Sequence, residues 1–507
     1  MTAPVLPASE TRDDALARDA LAVLQPGFAG TTAPDWVLRL LAEGLGSVAL
    51  FARNIDTPEQ VAALTAQLRS VRPDVLVTAD EESGDVTRIE VREGSSFPGN
   101  LALGAVDDPA LTRAVAAQLG RKLAGLGVNF DWAPSADVNS DPDNPVIGAR
   151  SFGAEPELVA RHTAAWIEGL QSAGVASCVK HFPGHGDTAV DSHHAMPRID
   201  LDAATLHARE LVPFRAALTA GVKAVMSAHI LVPALDPELP ATLSPAALTA
   251  LLRGPREEGG LGYDGLIVTD GIEMRAVAGT YGITRGTVMA LAAGADAICV
   301  GGGLNDEQTV LDLRDAIVAA VRDGSLPAER LADAARRVRE VAAWAVAAAG
   351  AAERLPADPG VGLAAARRAL RIVRDAGFTP LDGPPYVAVL EPEANIAVGE
   401  DTPWGVTAPL ARLLPGTEGD TYRGAAEAAG LLAAAGERRV VAVVRDAHRH
   451  AWMEQALDAL VAARPDTVVV EMGLPQAAPR GALYIATHGA ARVCGEAAAE
   501  VVAGVEP

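Results

Sequence analysis

The stretch from residue 108 to residue 132 reads DPALTRAVAAQLGRKLAGLGVNFDW and contains one complete unit of the fold. Asp108 followed by Pro109 is typical of a helix N-cap with proline in the first turn. Apolar residues then recur every four positions from Leu111 to Leu123, and the Gly-Leu-Gly sequence that follows predicts the end of the helix. The apolar segment 128–132 comes next, so this stretch predicts a helix that leads into a buried strand.

Short apolar runs of strand length recur from residue 21 to residue 300, with helical patterns between them. They are apolar on both faces, as expected for strands of a parallel sheet that helices cover. Eight such runs favour a (β/α)8 TIM-type barrel over an open doubly wound sheet, because no glycine-rich dinucleotide loop follows the first run. The predicted strands are 21–24, 47–51, 75–78, 128–132, 177–180, 224–227, 265–269 and 297–300.

A second, smaller α/β region is predicted after the barrel. An Ala/Arg-rich helical stretch ends near residue 349, and a segment rich in proline and glycine follows it. Strand-like runs then resume at 387–390, 439–444, 467–470 and 482–486. We therefore predict a catalytic barrel over 1–352, a linker with a helix over 353–384 and a C-terminal α/β sandwich domain over 385–507.

The composition excludes several classes of protein. The chain carries 42 Lys+Arg against 65 Asp+Glu, and its formal charge of −23 opposes contact with phosphate backbones, so no nucleic-acid partner is expected. No apolar run approaches the roughly 20 residues that span a bilayer, and the first residues lack the basic and apolar pattern of a secretory signal. We expect no membrane partner, a cytoplasmic location with reduced, buried cysteines, and a monomer or homodimer.

Polar side chains follow several of the predicted strands, at the end where the loops of a barrel converge. Each one alone is as easily a cap or a surface residue, but their shared placement predicts a site at the barrel mouth. These residues are Arg53, Asp80, Asp131, Lys180, His181, His229 and Asp270.

The densest of these segments follows the fifth predicted strand and reads KHFPGHGDTAVDSHH over residues 180–194. Its proline and glycines exclude a regular helix, so we predict a long loop over the barrel mouth. Asp191 can accept the imidazole N–H of His193 and fix its tautomer, which makes the pair a general acid/base device. A zinc site is the other interpretation of such a loop, but no His-x-His pair follows an early strand. We expect no metal and no cofactor.

Asp270 ends the seventh predicted strand, in the sequence LIVTDG over residues 266–271. A carboxylate that a buried strand holds rigidly, with glycine beside it, suits a nucleophile. An N-cap of the following helix is the alternative interpretation of this position.

Together these motifs resemble the signature of bacterial β-N-acetylglucosaminidases of glycoside hydrolase family 3. The most specific part has the form K-H-F-P-G-H-G-D-T-x-x-D-S-H over residues 180–193. Shorter similar pieces lie at 46–54, 97–104, 129–139, 148–153, 226–229, 268–274 and 489–504. The resemblance implies that Asp270 forms a covalent glycosyl-enzyme and that His193, oriented by Asp191, is the acid/base. It also implies that the first sugar subsite is formed by Asp80, Arg88, Arg150, Lys180 and His181.

The expected function is a retaining exo-β-N-acetylglucosaminidase that cleaves a small oligosaccharide or muropeptide substrate. Three alternatives stay open at this point. A neutral histidine repels an anion less than a carboxylate does, so phosphate could replace water and make the protein a phosphorylase. Lys180 at a strand end could form the Schiff base of an aldolase, and a sugar-binding protein without catalysis is the third alternative.

One segment departs from the family pattern. Residues 80–88 read DEESGDVTR, where the family usually shows D-Q-E-G-G-R-V-x-R. Asp80, Glu82 and Arg88 match, so we expect the sugar contacts to be intact. Ser83 and Asp85 replace a glycine and an arginine, which predicts an altered charge at the outer subsite.

Overall fold

The computed structural model describes residues 12–188, 196–303, 306–392 and 402–505. In these ranges the first part of the chain contains short parallel strands, each followed by helical segments. The strands are β1 (Leu24–Pro26), β2 (Ser47–Leu50), β3 (Leu76–Ala79), β4 (Phe130–Asp131), β5 (Ala176–Phe182), β6 (Ala224–Ser227), β7 (Leu266–Thr269) and β8 (Ile298–Val300). The helices are α1 (Arg12–Ala22), α2 (Asp35–Glu43), α3 (Pro58–Val71), α4 (Asn100–Val106), α5 (Pro109–Gly125), α6 (Pro156–Ser172), α7 (Ala203–Thr205), α8 (Leu211–Thr219), α9 (Arg275–Tyr281), α10 (Ile283–Ala293), α11 (Glu307–Asp323) and α12 (Ala328–Ala347).

Helix α5 forms as its sequence predicts. The Asp108 side chain accepts the backbone N–H groups of Ala110 and Leu111 at 3.1 and 3.2 Å, which satisfies two donors of the first turn. Leu119 and Leu123 on its apolar face are fully buried. Helix α11 likewise begins after its cap, Asp306, and ends before Gly324. The helix predicted after Asp108 is confirmed.

The strands of the first region form one curled parallel sheet in two hydrogen-bonded pieces. Strands β2 to β7 pair in sequence order, and β1 pairs with β8. A bridge between Val268 and Ala297 joins β7 to the start of β8, and the Ser47 hydroxyl donates to the Leu24 carbonyl at 3.4 Å between β2 and β1. The predicted α/β class with a parallel sheet is confirmed, and closure into a complete (β/α)8 barrel stays a prediction.

The prediction for the first strand is wrong in its position. The sequence pattern predicts it at residues 21–24, whereas α1 continues to Ala22 and β1 covers Leu24–Pro26. The Ala-Leu-Ala sequence at 20–22 favours helix, and the strand itself contains the fully buried Gln25. The apolar run at residues 21–24 therefore covers the end of α1 and overlaps β1 only at Leu24.

The second region contains its own mainly parallel sheet. Its strands are β9 (Arg371–Arg374), β10 (Tyr386–Leu390), β11 (Glu418–Tyr422), β12 (Val440–Val444), β13 (Val468–Glu471) and β14 (Leu483–Ala486), in the order β11-β10-β12-β13-β14-β9 with β9 antiparallel. Its helices are α13 (Val361–Ala369), α14 (Thr407–Leu413), α15 (Ala425–Ala428), α16 (Leu431–Ala435), α17 (Ala451–Ala463) and α18 (Arg492–Val502). Val441 and Val443 pack in one cluster with residues of α18, whereas Ala442 and Val444 pack in another with residues of α17.

The domain boundaries stay predictions. Strand β9 lies inside the predicted linker and forms an edge of the second sheet, next to β14. Within the described ranges, no helix combines the length and apolarity that crossing a membrane requires. Cys178, Cys299 and Cys494 are buried free thiols. The cytoplasmic location and the oligomeric state also stay predictions.

Candidate active site

The strands and their loops bring most of the predicted site residues to one edge of the first sheet. Asp80 directly follows β3, Lys180 and His181 lie in β5, and Asp270 directly follows β7. The loops after β3 and β4 supply Arg88 and Arg150. Because the carboxyl ends of parallel strands meet at the same edge, Asp80, Lys180, His181 and Asp270 lie along one edge of this sheet. Asp191 and His193 lie outside the described residues.

Lys180 joins two carboxylates at the centre of this group. Its Nζ contacts Asp80 Oδ1 and lies 2.6 Å from Glu82 Oε1. The side chain of Lys180 is only 2% exposed, whereas that of Asp80 is 19% exposed. Arg88 Nη2 donates to the other oxygen of Asp80 at 3.1 Å. Lys180 and Arg88 therefore hold the Asp80 carboxylate in place, and part of it stays exposed to solvent.

Arg150 and Glu82 form a buried, two-pronged ion pair. Arg150 Nε donates to Glu82 Oε2 at 2.9 Å, and Arg150 Nη2 donates to Oε1 at 2.6 Å. This fork geometry fixes the guanidinium plane as well as neutralising the charge. The prediction of site residues omitted Glu82. Its match to the family pattern at residues 80–88 was the signal that pointed to it.

The charges of this group stabilise one another in their ionised forms. Burial would raise the pKa of Glu82, but the Arg150 and Lys180 cations more than offset it and hold that pKa well below its usual range. Burial would likewise lower the pKa of Lys180, and the Asp80 and Glu82 carboxylates raise it instead. Lys180 is thus held protonated. A Schiff-base lysine needs the neutral amine, so this pairing counts against the aldolase alternative.

Asp137, which sequence reasoning also omitted, orients His181. Its Oδ2 lies 2.7 Å from His181 Nδ1, and its Oδ1 accepts the backbone N–H groups of His181 and His185 at 3.1 and 2.7 Å. A carboxylate on Nδ1 favours the tautomer that carries its proton there. His181 Nε2 lies 3.4 Å from Arg150 Nη2, which places the ring beside the Arg150–Glu82 pair. The segment 129–139 of the family pattern contains Asp137 and was its only sequence signal.

Buried hydrogen bonds at His185 fix the start of the histidine-rich loop. His185 is buried, its Nδ1 lies 2.7 Å from the Thr188 hydroxyl, and its carbonyl accepts from Asn144 Nδ2 at 2.9 Å. Burial lowers the pKa of His185 to about 4, with the neighbouring His181 adding to the effect. His185 is therefore neutral at pH 7 and fixes the chain immediately before the segment that contains Asp191 and His193.

The turn that carries Asp270 is fixed by bonds to the β6 side of the sheet. The Asp270 N–H donates to the Ser227 carbonyl at 3.1 Å, and its Oδ1 accepts the N–H of Gly271 at 2.8 Å. His229 Nε2 lies 2.9 Å from the Gly271 carbonyl. The next helix, α9, begins at Arg275 after its cap residue Met274, so the interpretation of Asp270 as its N-cap is wrong.

Two of the other strand-end residues, Arg53 and Asp131, form hydrogen bonds with the backbone of neighbouring loops. Arg53 donates to the carbonyls of Phe28, Gly301 and Gly302 at 3.0, 2.7 and 3.0 Å respectively. Asp131 is fully buried and accepts the N–H of Glu81 at 2.9 Å. Both tie loops together next to the cluster.

The described residues contain no group of three or more His, Cys, Asp or Glu side chains that could hold a metal ion. Asp80 and Glu82, two carboxylates of this cluster, are already paired with the protein's own cations. The absence of a metal stays a prediction, since Asp191 and His193 lie outside the described ranges.

Comparison with known proteins identifies the family. The sequence matches the N-terminal domain of glycosyl hydrolase family 3 over residues 30–341, more than half of the 507 residues. It is 36% identical over 289 residues to beta-hexosaminidase A of Pseudoalteromonas piscicida, an alignment that covers 52% of this chain and 47% of that protein. The chain thus spans about half the length of that relative. It is 37% identical over 287 residues to the beta-hexosaminidase of Alkalilimnicola ehrlichii, covering 55% of this chain and 80% of that one.

A solved structure agrees over nearly the whole chain. The glycoside hydrolase family 3 beta-N-acetylglucosaminidase from Paenibacillus sp. strain FPU-7 is similar with a TM-score of 0.85 and 35% sequence identity, and the match covers 97% of both chains. The resemblance stated from the motifs, and the class of enzyme it implied, are confirmed. The chain belongs to glycosyl hydrolase family 3.

Proposed function

We propose that this protein is a retaining exo-β-N-acetylglucosaminidase that cleaves terminal β-linked N-acetylglucosamine from muropeptide or chitin-type fragments. The observation that carries the proposal is the cluster of Asp80, Glu82, Lys180 and Arg150 at the strand ends of the sheet that also delivers Asp270. The hexosaminidase and beta-N-acetylglucosaminidase names of the relatives support N-acetylglucosamine as the terminal sugar. In this proposal the eight strands close into a (β/α)8 barrel, so that all these groups face one mouth.

The charged cluster suits a polar ring with several hydroxyl groups. Asp80 is held ionised, since the Lys180 and Arg88 cations lower its pKa although burial would raise it. An ionised carboxylate accepts hydroxyl protons in short, strong hydrogen bonds, and the fixed cations donate in the same way. We assign the first sugar subsite to Asp80, Arg88, Arg150, Lys180 and His181. Because their partners fix them before the sugar arrives, little ordering is needed on binding.

The chemistry is assigned to Asp270, His193 and Asp191 in two displacement steps. An Asp270 oxygen attacks the anomeric carbon while the glycosidic bond breaks, and the leaving oxygen takes a proton from His193. His193, oriented by Asp191, then removes a proton from water. The water oxygen attacks the same carbon, the bond to Asp270 breaks, and the product keeps the β configuration of the substrate.

The test is a panel of aryl β-glycosides with and without the 2-acetamido group, assayed with and without inorganic phosphate. The proposal predicts turnover of the 2-acetamido glycosides, release of N-acetylglucosamine, and no dependence of the product on phosphate. Preference for glucosides, or no turnover by the unaltered enzyme, would contradict it. Formation of the sugar 1-phosphate would assign the phosphorylase activity instead.

A further inference from the structure

Asp85 connects the loop after β3 to the second region of the chain. Its Oδ2 lies 2.5 Å from Arg445 Nη2, and its Oδ1 accepts the backbone N–H of Ala490 at 2.6 Å. Arg445 directly follows β12, and Ala490 lies two residues before α18. The Asp85 side chain is 4% exposed and that of Arg445 is 17% exposed. Asp85, one of the residues that depart from the family pattern, thus pairs with an arginine of the second region.

The turn that holds Asp85 also holds Glu82, and it is tightly packed. The Glu82 N–H donates to the Val86 carbonyl at 3.0 Å, and the Gly84 N–H donates to the Phe97 carbonyl at 3.1 Å. Gly84 has a φ of +61°, and a Cβ added there would lie 2.4 Å from the Cα of Gly99. Asp85 therefore cannot shift far without moving Glu82, the partner of Arg150 and Lys180.

The second region also touches the loop that carries Arg150. His448 Nε2 lies 3.1 Å from the Pro142 carbonyl. A Cβ on Gly148, at the start of the turn that ends in Arg150, would lie 3.3 Å from Leu474 Cδ1. A cavity of about 10 Å³ lies between Asp85, Glu82 and Arg150, room for about one water molecule. Both partners of the Glu82–Arg150 pair thus stand on loops that the second region contacts.

We propose that Arg445 is a positioning residue for the sugar subsite, acting through Asp85 on the turn between Asp80 and Arg88. The inference rests on the proposed function. Without Arg445, the Asp85 carboxylate is left buried without a cation, which favours its movement toward water. The turn then carries Glu82 away from Arg150, and the subsite loses its fixed geometry. Asp270 stands on a different strand, so the loss falls on sugar binding more than on the chemical step.

The test compares R445Q, D85N and the R445Q/D85N double variant with a matched control, R368Q. Arg368 pairs with Asp108 at 2.9 Å, at the N-terminus of α5, and its loss removes another ion pair to the first region. We expect each single variant to raise KM about tenfold with kcat within about threefold, the pattern of lost uniform binding. The double variant is expected to match the single variants, because all three remove the same Arg445–Asp85 ion pair. R368Q is expected to leave KM within about twofold of that of the unaltered enzyme.

A purely structural role would lower the thermal midpoint and leave KM unchanged, and that result in R445Q would overturn the inference. Effects that multiply in the double variant would overturn it too, because they would show two independent contacts. R445K keeps the positive charge but lacks the guanidinium group, so its KM is expected to lie between those of R445Q and the unaltered enzyme. It replaces R445Q in the comparison if R445Q does not fold. Calorimetric titration with N-acetylglucosamine gives the same comparison without turnover. Failure of the proposed function appears separately, as no turnover by the unaltered enzyme.

Discussion

The two parallel sheets each bury a glutamate at the carboxyl end of a strand, and they surround it with opposite kinds of partner. Glu82 follows β3 and Glu471 ends β13, and they are 2% and 1% exposed. Glu82 faces the cations of Arg150 and Lys180. Glu471 accepts backbone N–H groups from Asp446, Ala447 and Gly473 at 2.9, 3.2 and 2.8 Å.

The partners decide the charge of each acid. The cations hold the pKa of Glu82 well below its usual range, whereas burial, with the Asp446 charge adding to it, raises the pKa of Glu471 to about 8. The first sheet keeps separated charges ready for a polar ligand. The second uses a mostly neutral acid to tie together the loops that contain Arg445 and Leu474, which contact the first region. One set of strand ends thus forms the proposed ligand site, and loops at the other set contact it.

The largest contrast between the two regions is expected for the chemical step. D270N removes the proposed nucleophile and should lower kcat by about 10⁴-fold or more. E471Q, the matched change at the strand end of the second sheet, should leave kcat within about threefold of the unaltered enzyme. Steady-state kinetics on an activated 2-acetamido aryl glycoside measures both. A D270N enzyme within about tenfold of the unaltered rate would contradict the assignment of Asp270.

Histidines of the two regions should respond differently to the leaving group. H193A removes the proposed acid and should slow substrates with poor leaving groups by about 10²- to 10⁴-fold, with far less effect on activated aryl glycosides. H448A, which removes the contact with the Pro142 carbonyl, should affect both kinds of substrate equally. Rates for a series of leaving groups give the comparison. Equal rates of H193A and the unaltered enzyme on both kinds of substrate would show that His193 is not the acid.

Stability should depend on the charge network of the first sheet more than on Glu471. K180M leaves Asp80 and Glu82 short of a buried cation and should lower the free energy of unfolding by about 3 kcal/mol. E471Q should cost about 1 kcal/mol, since the amide places an N–H where the Ala447 N–H needs an acceptor. Urea unfolding at pH 7 measures both changes. An equal loss of unfolding free energy in E471Q and K180M would show that the two sheets do not differ in this respect.

The pH dependence of stability at Glu471 is the effect most specific to the second sheet. The folded protein holds its proton up to about pH 8, whereas the unfolded chain releases it near pH 4.3. This contribution to stability is therefore complete below about pH 4.3 and is lost as the pH rises through about 8. Glutamine has no such proton, so the stability of E471Q relative to the unaltered protein should improve from pH 5 to pH 8. A difference that stays constant over this range would contradict the raised pKa.

Sequence patterns located the elements whose stability is local or apolar. Helix α5 carries its own cap, and the buried strand β12 is a continuous run of apolar residues, so both could be predicted from the sequence. Strands β9 and β11 were missed because all four residues of β9 and four of the five in β11 are exposed at the edges of the sheet. Their pairing depends on neighbouring strands that are distant in the sequence.

The residues of the candidate site also divide into those that could be predicted from the sequence and those that could not. The positions of Asp80, Lys180 and Asp270 could be predicted because Asp80 and Asp270 directly follow buried strands and Lys180 lies near the end of one. Strand position alone does not distinguish Glu82 from Glu81 beside it, and only the family pattern at residues 80–88 pointed to Glu82. In the structure Glu81 accepts the backbone N–H groups of Arg88 and Ile89, whereas Glu82 binds Arg150. Which acid faces a cation depends on the meeting of the β3 and β4 loops, and no local pattern encodes that.

The most direct test of the central assignment is identification of the residue that becomes glycosylated. The enzyme is incubated with an activated, fluorinated 2-acetamido glycoside that slows the second step, quenched in acid, and its peptides are analysed by mass spectrometry. We predict one sugar attached to the peptide that contains Asp270, and no such attachment in D270N. A label on another residue, or a product of inverted configuration with no labelled peptide, would contradict the account.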